Sequence, residues 1–190
     1  TGGGMYPVKE TVFPYSKNRN PTDKQVIARL DKYWATGQLP WVSSAYWRNG
    51  MFGRGQIQAT HEYNYRKASE WTGIDLVKNP SRALELPVSA TIAVEGMKRG
   101  GFTGKSLADY DSPTGFDHFG ARAVVNGDKN KTDKGSRISV GGQIRKDALV
   151  YVKALEAGKW GQPAPTQPKP TQTPWAALFA ALASIFGGKA

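Results

Sequence analysis

The chain has 190 residues, 39% of them hydrophobic, which suffices for one ordinary domain with a real core plus an appendage. Its 26 basic and 15 acidic residues give a formal charge of +11, so an anionic partner is expected: nucleic acid, acidic lipid or cell wall. Without cysteine, and with only His61 and His118, the chain excludes disulfides and thiolate chemistry, and neither a metal nor a cofactor is expected.

Taken in order, the elements read as mainly helical. Asp23 to Thr36 places Val26, Ile27, Leu30 and Trp34 on one face and stops at Gly37. Leu39 to Gly55 carries Pro40, Trp41, Tyr46, Trp47 and three glycines, and reads as irregular or as a small hairpin. A second helix spans His61 to Trp71 and ends near Gly73, and a short helical turn covers Ser81 to Leu86 after Asn79-Pro80. Pro87 suits the first turn of a third helix, which runs to Lys98 and ends at Gly100-Gly101. The pattern predicts a fourth helix over Phe116 to Val125, ending at Asn126-Gly127. A fifth is predicted over Ile144 to Ala157 with Leu149, Val152 and Leu155 inward.

Three regions follow. Residues 1–158 form the folded body. Residues 159–174 form a spacer with five prolines between Pro163 and Pro174, a spacing that favours extended, semi-rigid chain. In residues 175–186, Trp175, Leu178, Phe179, Leu182, Ile185 and Phe186 follow a helical apolar spacing. That run is too short to span a bilayer. It either lies on an anionic membrane surface, docks into a partner's groove or folds back on its own body. No signal-peptide pattern opens the chain, and its start at Thr1 suggests a cut or processed product.

The most informative segment is Phe52 to Tyr65. Gly53 and Gly55 allow backbone to come close to backbone or ligand. Gln58, Thr60 and Asn64, with Tyr63 and Tyr65, offer donors and acceptors without net charge, as a hydroxyl-rich ligand requires. The plainer reading is a capped helix with tyrosine in the core. Arg54 reads as structural, tying the loop to a carboxylate.

From Gly53 to Tyr65 the chain resembles the signature of family 19 chitinases and related phage endolysins, Gly-Arg-Gly-x-Ile-Gln-x-Ser/Thr-x-x-x-Asn-Tyr, at every fixed position. Gly73 to Pro80 is similar to that family's Gly-x-Asp-Leu-x-x-Asn-Pro, and Val125-Asn126-Gly127 to its Ile-Asn-Gly. The resemblance covers residues 1–157. It implies a lysozyme-like, mainly α domain that hydrolyses a β-1,4 glycosidic bond, with Gln58, Tyr63, Asn64, Asn126 and, by looser spacing, Arg145 on the sugar. Thr60 would hold a water or touch the reacting sugar.

Glycoside hydrolysis uses two carboxyl groups. In the endolysins that this chain resembles, the acid is the Glu of His-Glu-Thr, and a second acid follows about ten residues later. Thr1 resembles that Thr, which would place the proton donor just before residue 1, and Glu10 matches the second acid. Lys9 is expected to keep Glu10 ionised. Glu62 lies in the helix of the signature segment but points away from Tyr63 and Asn64, and Glu70 and Glu95 read as solvated helix charges.

The resemblance further implies a phage-encoded protein made in the bacterial host and acting on the wall. Peptidoglycan is anionic and suits +11 better than neutral chitin does. A chitinase, or a wall-binding or virion component with an incomplete site, is the alternative. Lys98 to Phe102 and the run Lys129 to Arg137 are basic, but read as a helix end and a solvated loop. No nucleic-acid partner is expected.

Overall fold

The computed structural model describes residues 6–10, 20–132 and 135–159. Among them the chain is mainly helical, as the sequence predicts: α1 (Asp23–Ala35), α2 (Glu62–Thr72), α3 (Leu86–Lys98) and α4 (Val140–Ala157), joined by short 3-10 helices. Two-residue strands β1 (Val8–Lys9) and β2 (Arg54–Gly55) pair antiparallel, Val8 opposite Gly55 and Lys9 opposite Arg54. The chain divides into two compact units, Thr1–Ala148 and Leu149–Ala190. The site described below lies in the first. The proline-rich spacer beyond Lys159, the apolar run 175–186 and the Thr1 start fall outside the described residues.

Helix α1 begins where Thr22 and Gln25 form a reciprocal capping box, Thr22 Oγ1 accepting the Gln25 N–H while Gln25 Oε1 accepts the Thr22 N–H. Val26 and Leu30 on its buried face meet Leu39, Trp47 and Phe52. Trp47 is fully buried, and Trp34 and Tyr46 approach it edge-on, with centroids at 5.9 and 5.1 Å. Such pairs add about 0.5–1.5 kcal/mol beyond area burial. A second cluster joins Tyr65 and Ala68 of α2, Val88 and Ile92 of α3, and Met51, Leu76 and Ala83. Gly96 and Gly101 let these layers close, because a Cβ at Gly96 would stand 2.1 Å from the Phe102 ring, and one at Gly101 2.3 Å from Trp71.

The segment 39–55 takes the irregular of its two readings, not the hairpin: it holds a 3-10 helix, Tyr46–Asn49, and its strand pairs with distant β1. Three expectations need correction. Phe116 to Val125 is helical only over Gly120–Val124, as a 3-10 helix. Asp117 Oδ1 accepts the Gly120 N–H at 2.9 Å, a side-chain turn that replaces the first helical turn. Helix α4 starts at Val140, earlier than expected. Ser139 Oγ accepts the Gly142 N–H, and Gly141 is buried where a Cβ would come 2.9 Å from the Phe119 ring. Leu149 and Leu155, expected inward, are exposed. Unforeseen was a 3-10 helix at Leu107–Tyr110, started by a Ser106/Asp109 capping box.

Candidate active site

Residues 53–61 are built as a tight turn clamped on three sides. Arg54 and Ala59 exchange backbone hydrogen bonds at 3.3 and 3.2 Å, while Gly55 and Gln58 take positive φ of 85° and 59° to close the turn between them. Gln58 Nε2 donates to the carbonyls of Val8 at 2.8 Å and Gly55 at 2.7 Å, stitching the turn to β1. On the far side, Ser89 Oγ of α3 accepts the Gln56 N–H at 2.8 Å and sits where a Cβ on Gly55 would collide with it.

Arg54 anchors the base, in the structural role expected of it. Its enclosed guanidinium donates to Asp23 at 2.7 Å, the Gly50 carbonyl at 2.7 Å and the Tyr65 hydroxyl at 2.9 Å, and lies 3.7 Å over the Phe52 ring. Lys9 does not serve Glu10. Its ammonium turns to Asp23 and the Pro21 carbonyl, each at 2.8 Å, because β-pairing sends neighbouring side chains to opposite faces. Burial pulls the Asp23 carboxyl upward, but the hydrogen bonds and charges of Lys9 and Arg54 outweigh it and hold the group below its ordinary value.

The same ladder delivers Glu10. Beyond Lys9, Glu10 N–H donates to the Gly53 carbonyl at 2.6 Å, and the Gly53 N–H donates back to Glu10 Oε2 at 2.7 Å. Tyr46 hydroxyl donates to Glu10 Oε1 at 2.6 Å. Both carboxylate oxygens thus receive a donor. Burial, then the hydrogen bond and charge of Glu10, push the Tyr46 phenol well above its ordinary value, so it stays a donor at neutral pH.

Tyr46 forms one wall of an open pocket of about 240 Å³. Trp41 to Ser44, Thr60 and His61 complete its lining. The cleft therefore lies between the 39–55 segment and the start of α2. Trp41 is 77% exposed at this pocket, a bare indole face of the kind that stacks on sugar rings. His61 holds φ at +66°, rare outside glycine, and so precedes α2 with its ring against Tyr46 at 4.6 Å and nearly parallel to Tyr63 at 5.6 Å. Such a backbone costs about 1–3 kcal/mol and persists only where its surroundings fix it.

The residues singled out from sequence are thus placed unequally. Thr60 lines the pocket, and Glu10 stands directly behind its Tyr46 wall. Tyr63 is exposed beside His61. Asn64, in the first turn of α2, donates to the Thr60 carbonyl at 2.8 Å, bracing the residue before His61. Gln58 spends its amide protons on backbone. Asn126 is exposed and donates to Asp128, itself bonded to Arg122, and Arg145 is an exposed residue of α4; neither is among the pocket's lining residues. No carboxylate lines that pocket. Glu62 and Glu95 pair instead with cations one turn away, Arg66 and Arg99. Trp41, Tyr46 and His61 were not foreseen as site residues, though they sit in or beside the segments expected to wall the cleft.

Among the described residues no cluster of His, Asp or Glu is arranged to hold a metal, and no helix is long and apolar enough to cross a membrane. No protein-family model and no solved structure matches the chain. A stretch of 39 residues, 20% of this chain, is 51% identical to Chitinase 11 of Oryza sativa subsp. japonica, of which it spans 15%, so the likeness to a chitinase is shown for a short segment of each protein.

Proposed function

We propose that this chain is a glycan hydrolase that cleaves β-1,4 bonds of bacterial peptidoglycan, an endolysin of the muramidase type encoded by a phage and acting on the host wall. The observation that carries the reading is the juxtaposition of a doubly held carboxylate, Glu10, with a pocket whose wall includes Tyr46, Thr60 and His61. Its open shape, exposed indole and neutral polar lining suit a sugar chain.

In this reaction Glu10 takes the proton of a water that attacks the anomeric carbon, and the Thr60 hydroxyl orients that water. Attack from the face opposite the leaving oxygen inverts the anomeric centre. The leaving oxygen needs a proton from a second acid, as glycoside hydrolysis requires. Trp41 and Tyr63 offer apolar faces to the sugar rings, and Asn64 steadies the Thr60–His61 backbone. The net charge of +11 favours an anionic polymer over a neutral one.

The match to the rice chitinase favours a second reading, in which the polymer is chitin. Digestion of purified peptidoglycan and of chitin side by side separates the two. Soluble oligomers from peptidoglycan are expected; oligomers from chitin alone would replace this substrate, and release from neither would end the hydrolase reading. The apolar spacing of Trp175 to Phe186 supports a further contact with an anionic membrane. Equal liposome co-sedimentation with and without residues 175–190 would discard it.

A further inference from the structure

Resting on the hydrolase reading, we propose that Tyr46 is the positioning residue of Glu10: its hydroxyl fixes the plane of the carboxylate against the pocket, so that the water-activating oxygens keep one orientation. A glutamate carboxylate turns easily about its terminal bond, whose rotational preference is broad. The Gly53 N–H on Oε2 pins one oxygen and leaves the other free to swing about it. The second donor, Tyr46 on Oε1, removes that freedom. The two donors come from different segments, the approach to β2 and the 3-10 helix Tyr46–Asn49, so the orientation of Glu10 is set by how those segments meet.

Tyr46 is itself held between its contacts with two neighbouring rings. It is edge-to-face with Trp47, which is fully buried and donates through Nε1 to Asp31 at 3.0 Å. It also meets the His61 ring at 4.6 Å, a residue whose backbone holds a positive φ. A ring confined in this way aims its hydroxyl without further ordering. Because Tyr46 also lines the pocket, a sugar seated against its ring rests on the group that orients the carboxylate.

The test compares Tyr46→Phe, Glu10→Ala and the double variant in the full protein. Phenylalanine keeps the ring and the pocket wall and removes only the donor. Initial rates are read on solubilised peptidoglycan strands and on N-acetylglucosamine hexamer, using whichever the parent cleaves. Tyr46→Phe is expected to lower kcat by about ten- to a hundredfold, the range of a hydrogen bond to a charged group, and to leave KM within about twofold. In the Glu10→Ala background it should lower kcat no further. Urea unfolding of the four proteins reads the contact without activity: the midpoint shift from Tyr46→Phe should shrink when Glu10 is absent. An unchanged kcat, a loss carried by KM, or additive unfolding shifts would overturn the proposal. Coupled unfolding in a parent that cleaves neither substrate would overturn the hydrolase reading, and the positioning role with it, while leaving the contact in place; additive shifts overturn the contact whatever the activity.

Discussion

Substituting Arg54 by alanine is the perturbation that the structure resolves most sharply. The Arg54 side chain is fully enclosed, and its fork holds Asp23 of α1, the Gly50 carbonyl and the Tyr65 hydroxyl of α2 at once. Removing it unpairs the Gly50 carbonyl and leaves a void over Phe52. Breaking a buried ion pair by deleting one partner costs about 3–5 kcal/mol. Asp23 is 45% exposed and keeps Lys9, so the loss falls at the lower end, about 3 kcal/mol. At roughly 2–4 °C per kcal/mol for a chain of this size, Tm drops by about 6–12 °C. Urea unfolding followed by near-ultraviolet dichroism gives the free energy directly, and Arg54→Lys should land between parent and alanine, because one ammonium cannot span the fork. An alanine variant within about 1 kcal/mol of the parent would refute this account of how the 53–61 turn is anchored.

Three further outcomes follow from the same contacts. The Asp23 carboxyl is held below 3.8, so its contribution to stability is complete above pH 3.8 and is lost as pH falls through the folded-state value; Asp23→Asn should flatten the acid limb of a stability–pH curve. Gly53→Ala places a Cβ 2.9 Å from Gln58 Oε1 and 3.3 Å from Glu10 Oε2, so it should cut the hydrolysis rate by about tenfold or more by displacing Glu10, with a proportionately smaller fall in Tm. Trp41→Ala, at an exposed site, should leave unfolding within about 0.5 kcal/mol of the parent while weakening oligosaccharide binding in calorimetry.

Helices α1, α2 and α3 were legible because their punctuation is local: Thr22 with Gln25, Gly73 in the left-handed conformation, and proline in the first turn of α3. The stretch 116–125 was not, since an aspartate that bonds a nearby N–H competes with the helix and leaves the apolar spacing intact. At α4 the start was placed too late, because Gly141 lies within the first turn and is small where Phe119 lies against it. Glu10 and Thr60 were singled out through the resemblance to a family signature, which gave no sign of the partner of Glu10. Lys9 is adjacent in sequence but alternates to the opposite face, and Tyr46 reaches the carboxylate from 36 residues away. Nor does any local signal announce the positive φ of His61 that seats its ring on Tyr46. Contacts fixed by long-range closure leave no period in the sequence.

The account turns on Glu10. Peptidoglycan hydrolysis by Glu10→Gln in the full protein, beside Glu62→Gln as a control on an exposed, Arg66-paired carboxylate, tests it most directly. Glu10→Gln should lose hydrolysis while still unfolding as one cooperative transition, lowered by no more than about 1.5–3 kcal/mol through its weakened hydrogen bonds, and Glu62→Gln should retain it. A Glu10→Gln protein that cleaves the wall at the parental rate would contradict the assignment.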